Sequence, residues 1–562
     1  MFKFLQLIPS SFSKKKNVVI LLCVLSAIID LMGIGFLIPL FGLIINDHYL
    51  SILSIKLTLS ESSLIVIISI IIFLLFVLKN YFSLYVEKVK LKFTHEVFIN
   101  ISKAILNSYL KRGINVFQKM GSSVAFKNIY HIPFYFSTKI LNSYFSIISE
   151  IIVSVFLFTF LIYYNYRVFI VISLVVFPLT LLYNNLVRKK SLKNGEEIDK
   201  VSPRLHDSVN NFSLGFMDII MLQKESYFKD KLEHYYNSYS NLNIERNILL
   251  ILPNKIMDIV ICFCLITIII VTTFVIDSKE DILMTLVSFG VVSLRIIPSI
   301  NKINASLNFL RLYSFAIPII QKEFDIQNKM NTKEDSQLEN IQFNKFFSLN
   351  DISKSYNGKK ILNKINIEIK KGQIIGISGD SGSGKTTLVS IIKQILKEDE
   401  GNIYVDDIKI NSKNVLSWQQ KIGFVSQDTF ILKGSILENI AFGVQEIDYD
   451  YDLIKEVLKL ANLEEFVAKR NLNYLLDENG KNISGGQIQR IAIARSLYAQ
   501  SEILIFDEFT SSIDKKNELK ILETVKNLKE SNKTIIIISH DKDVFKICDN
   551  VLKLNKGVLE YV

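Results

Sequence analysis

The chain has 562 residues, room for three or four domains at roughly 150 residues each, which excludes a single small binding module. Hydrophobic residues make up 49%, with 39 Phe and 23 Tyr, and the mean hydropathy is +0.31, so membrane spans are the first feature to seek. Eight Pro and 22 Gly exclude collagen-like and Pro-rich disordered classes, four Cys exclude a disulfide scaffold, and a net charge of +11 leaves nucleic acid or an anionic membrane surface open until those charges are located.

Apolar runs over 17–45, 64–86, 136–163, 168–186, 249–276 and 282–312 are each long enough to cross a hydrocarbon core of about 30 Å. Several carry polar residues, which fits helices of a bundle whose inner face is wet. Between the second and third runs lie Lys88, Lys90, Lys92, Lys103, Lys111, Arg112, Lys119 and Lys127, and Arg188, Lys189 and Lys190 follow the fourth. The connections at 48–62, 165–167 and 277–281 are weakly charged, so both long loops, the N-terminus and the C-terminal half are expected in the cytoplasm. Topology then accounts for much of the positive charge, and no nucleic-acid partner is expected. No small-residue cleavage site follows the first run, so no cleavable signal is expected.

Residues 321–344 are polar and charged and read as a linker or solvated helix end. Beyond Phe346, short apolar strands alternate with helical segments, the pattern of an α/β domain with a mostly parallel sheet. The expected architecture is therefore an α-helical polytopic membrane domain of six transmembrane helices over 1–315, a linker over 316–345, and an α/β P-loop nucleotide-binding domain over 346–562.

The chemistry lies in the C-terminal half. Gly379, Asp380, Ser381, Gly382, Ser383, Gly384, Lys385 and Thr386 match G-x-x-x-x-G-K-[ST] between the apolar strand 374–378 and a helix, the context this motif requires. The glycines let backbone N–H groups, with those of Thr386 and Thr387 at the helix start, curl around phosphate oxygens. Lys385 brings a charge to the β- and γ-phosphates, and the Thr386 hydroxyl can ligate Mg²⁺. ATP and Mg²⁺ are the cofactors expected. The strand 503–506 ends in Asp507, placed to hold the Mg²⁺ shell, and Glu508, placed to polarise an attacking water as general base. Ser484, Gly485, Gly486 and Gln487 open a further helix about 120 residues beyond the first motif and would form a second phosphate-reading helix start.

With these motifs in this order the chain resembles the ATP-binding-cassette (ABC) transporter superfamily, as six spans followed by one cassette, the exporter arrangement. The resemblance implies further roles. Tyr356 looks like the aromatic that stacks on adenine, and Gln427 like the lid glutamine that senses Mg²⁺. Ser511, Ser512, Ile513 and Asp514 resemble the loop that crosses to the other subunit, and His540 resembles the γ-phosphate switch. Ile483, Ser512-Ile513 and Asp541 depart from the usual Leu, Ala-Leu and Arg, and none removes a ligand-bearing side chain. In this family one subunit's Lys385-type loop and the other's Ser484-type motif sandwich the nucleotide. A half-transporter with both intact is expected to act as a homodimer, with loop segments 116–129 and 211–222 as coupling elements.

For the cargo, the sixth run reads Arg295-Ile296-Ile297-Pro298-Ser299-Ile300-Asn301-Lys302. Arg295 lies roughly 21 Å into it and Lys302 about 10 Å lower on nearly the same face. A charge at that depth faces a partner or a wet cavity. Two readings stand together: contact with an anionic headgroup, or pairing with Asp30, Glu150 and Asp258. The Arg-x-x-Pro-Ser-x-Asn-Lys stretch is similar to the span-six pattern of bacterial flippases of lipid-linked oligosaccharides. In that group the basic residues handle pyrophosphate, which implies Arg295 and Lys302 as substrate contacts. Lys255, beside Pro253-Asn254, stands next to where that group has Pro-Arg and is a third candidate. The expected cargo is an amphipathic anionic molecule such as a lipid-linked oligosaccharide, moved across a bacterial inner membrane with membrane lipid as neighbour. Export of bacteriocin-like peptides, drugs or other lipids is the alternative, and an exporter that trims leader peptides is not expected.

Overall fold

The computed structural model describes residues 3–35, 61–113, 120–164, 166–275, 279–331, 339–356, 358–510 and 515–561. They fall into two compact units, Met1–Thr332 and Lys333–Val562.

Unit 1 is helical. Its long elements are α1 (Ser13–Gly35), α2 (Glu61–Arg112), α3 (Asn142–Tyr164), α4 (Tyr166–Leu214), α5 (Glu225–Val275) and α6 (Lys279–Leu312). Such lengths follow from apolar runs that extend into polar, Lys- and Glu-rich helix without a breaker. Pro178, Pro203, Pro253 and Pro298 sit inside helices, as neighbouring helices permit. Ahead of α3 the helix 122–141 contains two π-helical stretches, Lys127–His131 and Tyr135–Leu141. On α2 the i, i+4 series Phe93, Val97, Ile101 and Ile105 is buried against Ile132, Phe136 and Ile140, whereas Ile70, Ile71, Leu74 and Leu78 are exposed. That partition suits a helix facing lipid in one half and protein in the other. The α4–α5 turn carries a short helix, Phe216–Met221, whose Met217 and Met221 are exposed beside Leu214 and Leu222.

Among the described residues, the helices Ile65–Arg112, Ser122–Thr159 and Glu225–Thr267 are long and apolar enough to cross a membrane. The pair Arg295–Leu312 and Ala316–Lys329, bent by 51°, qualifies if taken together. The expected runs 17–45 and 249–276 continue onto residues outside the described ones, as do 116–119 of the first loop segment. The stretch expected to begin a linker at 316 opens instead as helix α7 (Ala316–Asn331), which buries Ala316, Ile320 and Glu323 within unit 1. The reason is amphipathicity: its apolar residues face the bundle, and its charged ones gave the segment its solvated look. Glu323 forms a buried ion pair with Arg112 at the end of α2.

Unit 2 is the expected α/β domain. Strands β1 (Phe346–Tyr356), β2 (Lys359–Lys370), β4 (Glu400–Val405) and β5 (Ile408–Lys409) form an antiparallel sheet in the order β2-β1-β4-β5. The central sheet has the order β12-β11-β3-β10-β9-β6. Its strands are β3 (Ile374–Ser378), β6 (Ile422–Ser426), β9 (Ile503–Asp507), β10 (Thr534–Ile538), β11 (Asn550–Asn555) and β12 (Val558–Tyr561). The short β7 (Gly434–Ser435) and β8 (Leu475–Leu476) pair separately. Strands β3, β6, β9, β10 and β11 are mutually parallel. Their continuous apolar runs arise because both faces are covered: Leu504, Phe506, Ile535 and Ile537 enter one core, and Ile503, Ile505, Ile536 and Ile538 the other. Trp418 is fully buried in the second core and donates its indole N–H to Ile392 O at 2.7 Å.

Candidate nucleotide site and a membrane ion cluster

Register alone gathers the candidate residues of unit 2. Asp507 pairs with Ser426 on one side and Ile538 on the other, so the C-terminal ends of β6, β9 and β10 lie side by side. Gln427, Asp507-Glu508 and His540 therefore emerge at one edge of the sheet. β3 pairs with β10 and delivers the glycine-rich loop to the same edge.

Helix α8 (Lys385–Ile392) starts from that loop, with Gly384 as its N-cap at φ 108°. A Cβ on Gly384 would lie 3.0 Å from Leu362 Cδ2, and one on Gly379 (φ 156°) would lie 2.5 Å from Leu554 O, so both positions need glycine for space as well as backbone angle. Lys385 is buried, and its Nζ donates to Gly379 O at 2.6 Å and Asp380 O at 3.0 Å. Ser383 Oγ is buried without a hydrogen-bond partner. A lysine folded onto its own loop carbonyls, an orphaned hydroxyl and the free N–H groups of a helix start are the features a nucleotide phosphate satisfies. Exposed Thr386 and the Asp507 carboxylate supply hard oxygen donors of the kind Mg²⁺ takes alongside phosphate. The residues present thus fit Mg²⁺-ATP.

His540 Nε2 lies 3.2 Å from Lys385 Nζ and 3.3 Å from Glu508 Oε1. One nitrogen cannot accept from the lysine and donate to the glutamate at once, so its proton decides which contact forms. Glu508 has φ +48°, a left-handed conformation uncommon for a side chain of this size, and its N–H donates to Ile538 O at 2.9 Å. Burial pushes the Asp507 carboxyl up, and the Glu508 charge adds to this, while Lys393 and Lys385 act against both. Lys393 itself is pushed down to about 8 by burial, partly countered by Asp507, and its Nζ sits 3.2 Å from the centre of the Phe424 ring.

Ser484 caps helix α9 (Gly485–Tyr498) in a reciprocal box: its Oγ accepts from Gln487 N–H at 3.3 Å and its own N–H donates to Gln487 Oε1 at 2.9 Å. Gly485 is exposed beside it, and Gly486 is buried in the first turn. Tyr356 closes β1 half-exposed. The loop 511–514 lies outside the described residues.

Motif reading missed three residues. Gln489 on α9 is buried and donates through Nε2 to Ser426 O and Gln427 O, both at 3.1 Å, fixing the backbone of the lid residue. Asp399 accepts from Ser355 N–H and from Lys354 Nζ, tying down the strand end that carries Tyr356. The third is Lys393. Gln489 stands within the Ile483–Arg490 stretch, but its contact, like those of Asp399 and Lys393, is made by the fold and not by the motif.

In unit 1 the structure joins four of the membrane charges that the sequence singled out, and adds a fifth. Arg295 Nη2 lies 3.1 Å from Asp30 Oδ2 and 3.5 Å from Glu150 Oε2, and Lys302 Nζ lies 3.0 Å from Glu150 Oε1. Lys79 of α2, which sequence reading passed over, reaches Asp30 Oδ1 at 3.3 Å. Asp258 and Lys255 do not join them: these two form their own exposed i, i+3 contact at 3.7 Å on α5. Asp258 is thus no counter-ion for Arg295 or Lys302, because its position on α5 turns it toward Lys255 instead.

Comparison with known proteins agrees with this geometry. The family model described as ABC transporter matches residues 362–511. The chain is 37% identical over 220 residues to the lactococcin-G-processing and transport ATP-binding protein of Lactococcus lactis, a match covering 39% of this chain and 31% of that protein. It is 27% identical over 424 residues to ATP-dependent lipid A-core flippase 2 of Colwellia psychrerythraea, covering 73% of this chain and 70% of that one. A solved structure of a bacterial Atm1-family ABC exporter with ATP bound superposes with a TM-score of 0.77 at 17% identity, over 98% of this chain and 95% of that chain. By motif, site geometry and family model, residues 362–511 belong to an ABC transporter ATP-binding domain, and the chain as a whole has the fold of an ABC exporter, a helical membrane region followed by that ATPase domain.

Proposed function

We propose that two copies of this chain form an ATP-driven flippase for an amphipathic anionic lipid, best matched by a polyprenyl-pyrophosphate-linked oligosaccharide, in a bacterial inner membrane. The observation that carries the cargo reading is the ion cluster on α6: three cations, Lys79, Arg295 and Lys302, share two carboxylates. Among the described residues one positive charge per chain is left over, and an anionic headgroup would supply its partner. Similarity to lipid A-core flippases over most of the chain supports a lipid cargo. The lactococcin transporter favours peptide export as the second reading, although its match covers only 39% of this chain.

In the ATPase site Lys385 and the N–H groups of Gly382, Gly384, Thr386 and Thr387 would bind the phosphates, and Tyr356 the adenine. Thr386, Asp507 and Gln427 would hold Mg²⁺, which neutralises charge on the phosphates when bound. Glu508 would orient and polarise the attacking water, with His540 reporting on the γ-phosphate.

The experiment is ATPase activity of the purified chain in proteoliposomes, with and without polyprenyl-pyrophosphate-linked oligosaccharide. Stimulation in the wild type that disappears in Arg295→Ala is the expected outcome. Glu508→Gln should lower hydrolysis about a hundred-fold or more, the scale of a lost general base. A wild type indifferent to every phosphate-bearing lipid, yet stimulated by peptide, overturns the lipid reading and leaves the ATPase.

A further inference from the structure

The ion cluster of unit 1 is incompletely satisfied. Glu150 is 5% exposed at its side chain, Arg295 13%, Lys79 14% and Asp30 19%, whereas Lys302 is 60% exposed. Glu150 Oε2 and Arg295 Nε make no hydrogen bond, and neither does Ser154 Oγ or Ser299 Oγ, one turn along α3 and α6 from them. Buried charges left short of partners are costly, and a surplus cation costs most. A purely structural cluster gains by balancing its charges. This one does not: each carboxylate bridges two cations, and the pair holds the total at one positive charge.

The two acids also occupy the positions an anionic headgroup would take. A guanidinium fork and a lysine ammonium bind phosphate and carboxylate oxygens by the same geometry. We infer that Asp30 and Glu150 are the charge-setting residues of the cargo site: by taking up two of three cations they leave one unmatched charge per chain, so that a two-fold dimer selects a headgroup bearing two negative charges. This rests on the reading that the cargo is an anionic lipid. Lys302, exposed and, among the described residues, paired only with Glu150, is the cation that can turn to the incoming headgroup. Without the acids the site would hold three unmatched cations per chain, bind anionic lipids indiscriminately and release them slowly.

The test is the half-maximal concentration at which a sugar-linked polyprenyl-pyrophosphate, a diester with two negative charges, and a sugar-linked polyprenyl-monophosphate, a diester with one, stimulate ATP hydrolysis in proteoliposomes. Glu150→Gln should lower it for both lipids by about ten-fold or more, the scale of one added unit charge per chain in a partly wet cavity, and should lower the maximal rate. Asp30→Asn should act in the same direction. Lys302→Gln should raise the half-maximal concentration. The double variant Glu150→Gln/Lys302→Gln restores one surplus charge and should return the pyrophosphate value to within about two-fold of wild type. A mere packing role for Glu150 predicts no such rescue. A wild type that responds while Glu150→Gln is unshifted, or is weakened like Lys302→Gln, overturns the charge-setting role and leaves the flippase reading intact. A wild type that responds to neither lipid overturns both.

Discussion

Gln489 lies two residues beyond the Ser484–Gln487 turn, and its amide joins helix α9 to the lid by donating to two consecutive carbonyls, Ser426 O and Gln427 O. Both bonds are shielded from water, where an unmade hydrogen bond costs about 1–3 kcal/mol. Gln489→Leu keeps the volume and removes both donors. The expected result is a kcat for ATP about ten-fold lower with KM within about two-fold, because the nucleotide-binding loop is untouched while the lid glutamine loses its support. Steady-state kinetics across ATP and Mg²⁺ concentrations check it, and a change in KM alone would remove Gln489 from the lid's support. This contact also marks what the sequence could disclose. Lys385, Thr386 and Ser484 were legible because a phosphate loop or helix cap is built from contiguous residues whose chemistry is local. Gln489 and Asp399 were not, because each meets its target more than 40 residues away. No composition or spacing encodes such a meeting until the strands are paired.

At the scale of elements, the sheet has two ends with opposite tasks. Its C-terminal edge gathers the ATPase site, and its N-terminal edge is stapled by Glu502, which accepts from Lys421 at 2.7 Å and Lys371 at 2.9 Å. These three residues stand just before β9, before β6 and after β2, so one carboxylate fixes where three strands begin or end. Burial alone would raise Glu502, but the hydrogen bonds from Lys421 and Lys371 more than offset it and hold the carboxyl below its ordinary range. A carboxyl depressed on folding adds stability above its unfolded pKa, and that stability is lost as pH falls through the folded value. Glu502→Gln should therefore lower the unfolding temperature of unit 2 at pH 7, and the gap to wild type should narrow as pH falls below the ordinary carboxylate range and close once it passes the depressed folded value, where both carry a neutral side chain. The chain's single tryptophan, Trp418, is buried in that unit, so its fluorescence in the full-length protein isolates the transition. A gap constant with pH would mean the residue acts by shape alone. Legibility was poorer in the membrane half for an element-scale reason. Hydropathy marks that a helix is apolar, not which neighbour its polar residues meet. Pairing of Arg295 and Lys302 with acids was one of the open readings, whereas Asp258 and the start of the linker at 316 had to be corrected by the helix faces on which these residues lie.

For the whole molecule the governing question is where an ATP site is completed. In unit 2 the Lys385 loop opens at the C-terminal edge of the sheet, and among the described residues the exposed Ser484 hydrogen-bonds only within its own helix turn. Ser484 therefore presents a helix N-terminus with nothing yet to read. If a two-fold partner completes each site, a lesion in the loop and a lesion in the Ser484 motif fall in different sites when carried by different chains. A Lys385→Ala homodimer and a Ser484→Arg homodimer then each lose both sites. A mixed dimer has one site with both lesions and one with neither. Placed on Glu508→Gln to prevent hydrolysis, co-expressed with distinct tags and purified through both, the mixed dimer should occlude about one nucleotide per dimer, and each parental homodimer close to none. Counting occluded nucleotide rather than turnover keeps any coupling between the sites out of the result. If loop and motif of the same chain formed the site, every chain in the mixed dimer would carry a lesion and occlusion would vanish. A recovered single nucleotide is therefore reachable only through a site shared between two copies.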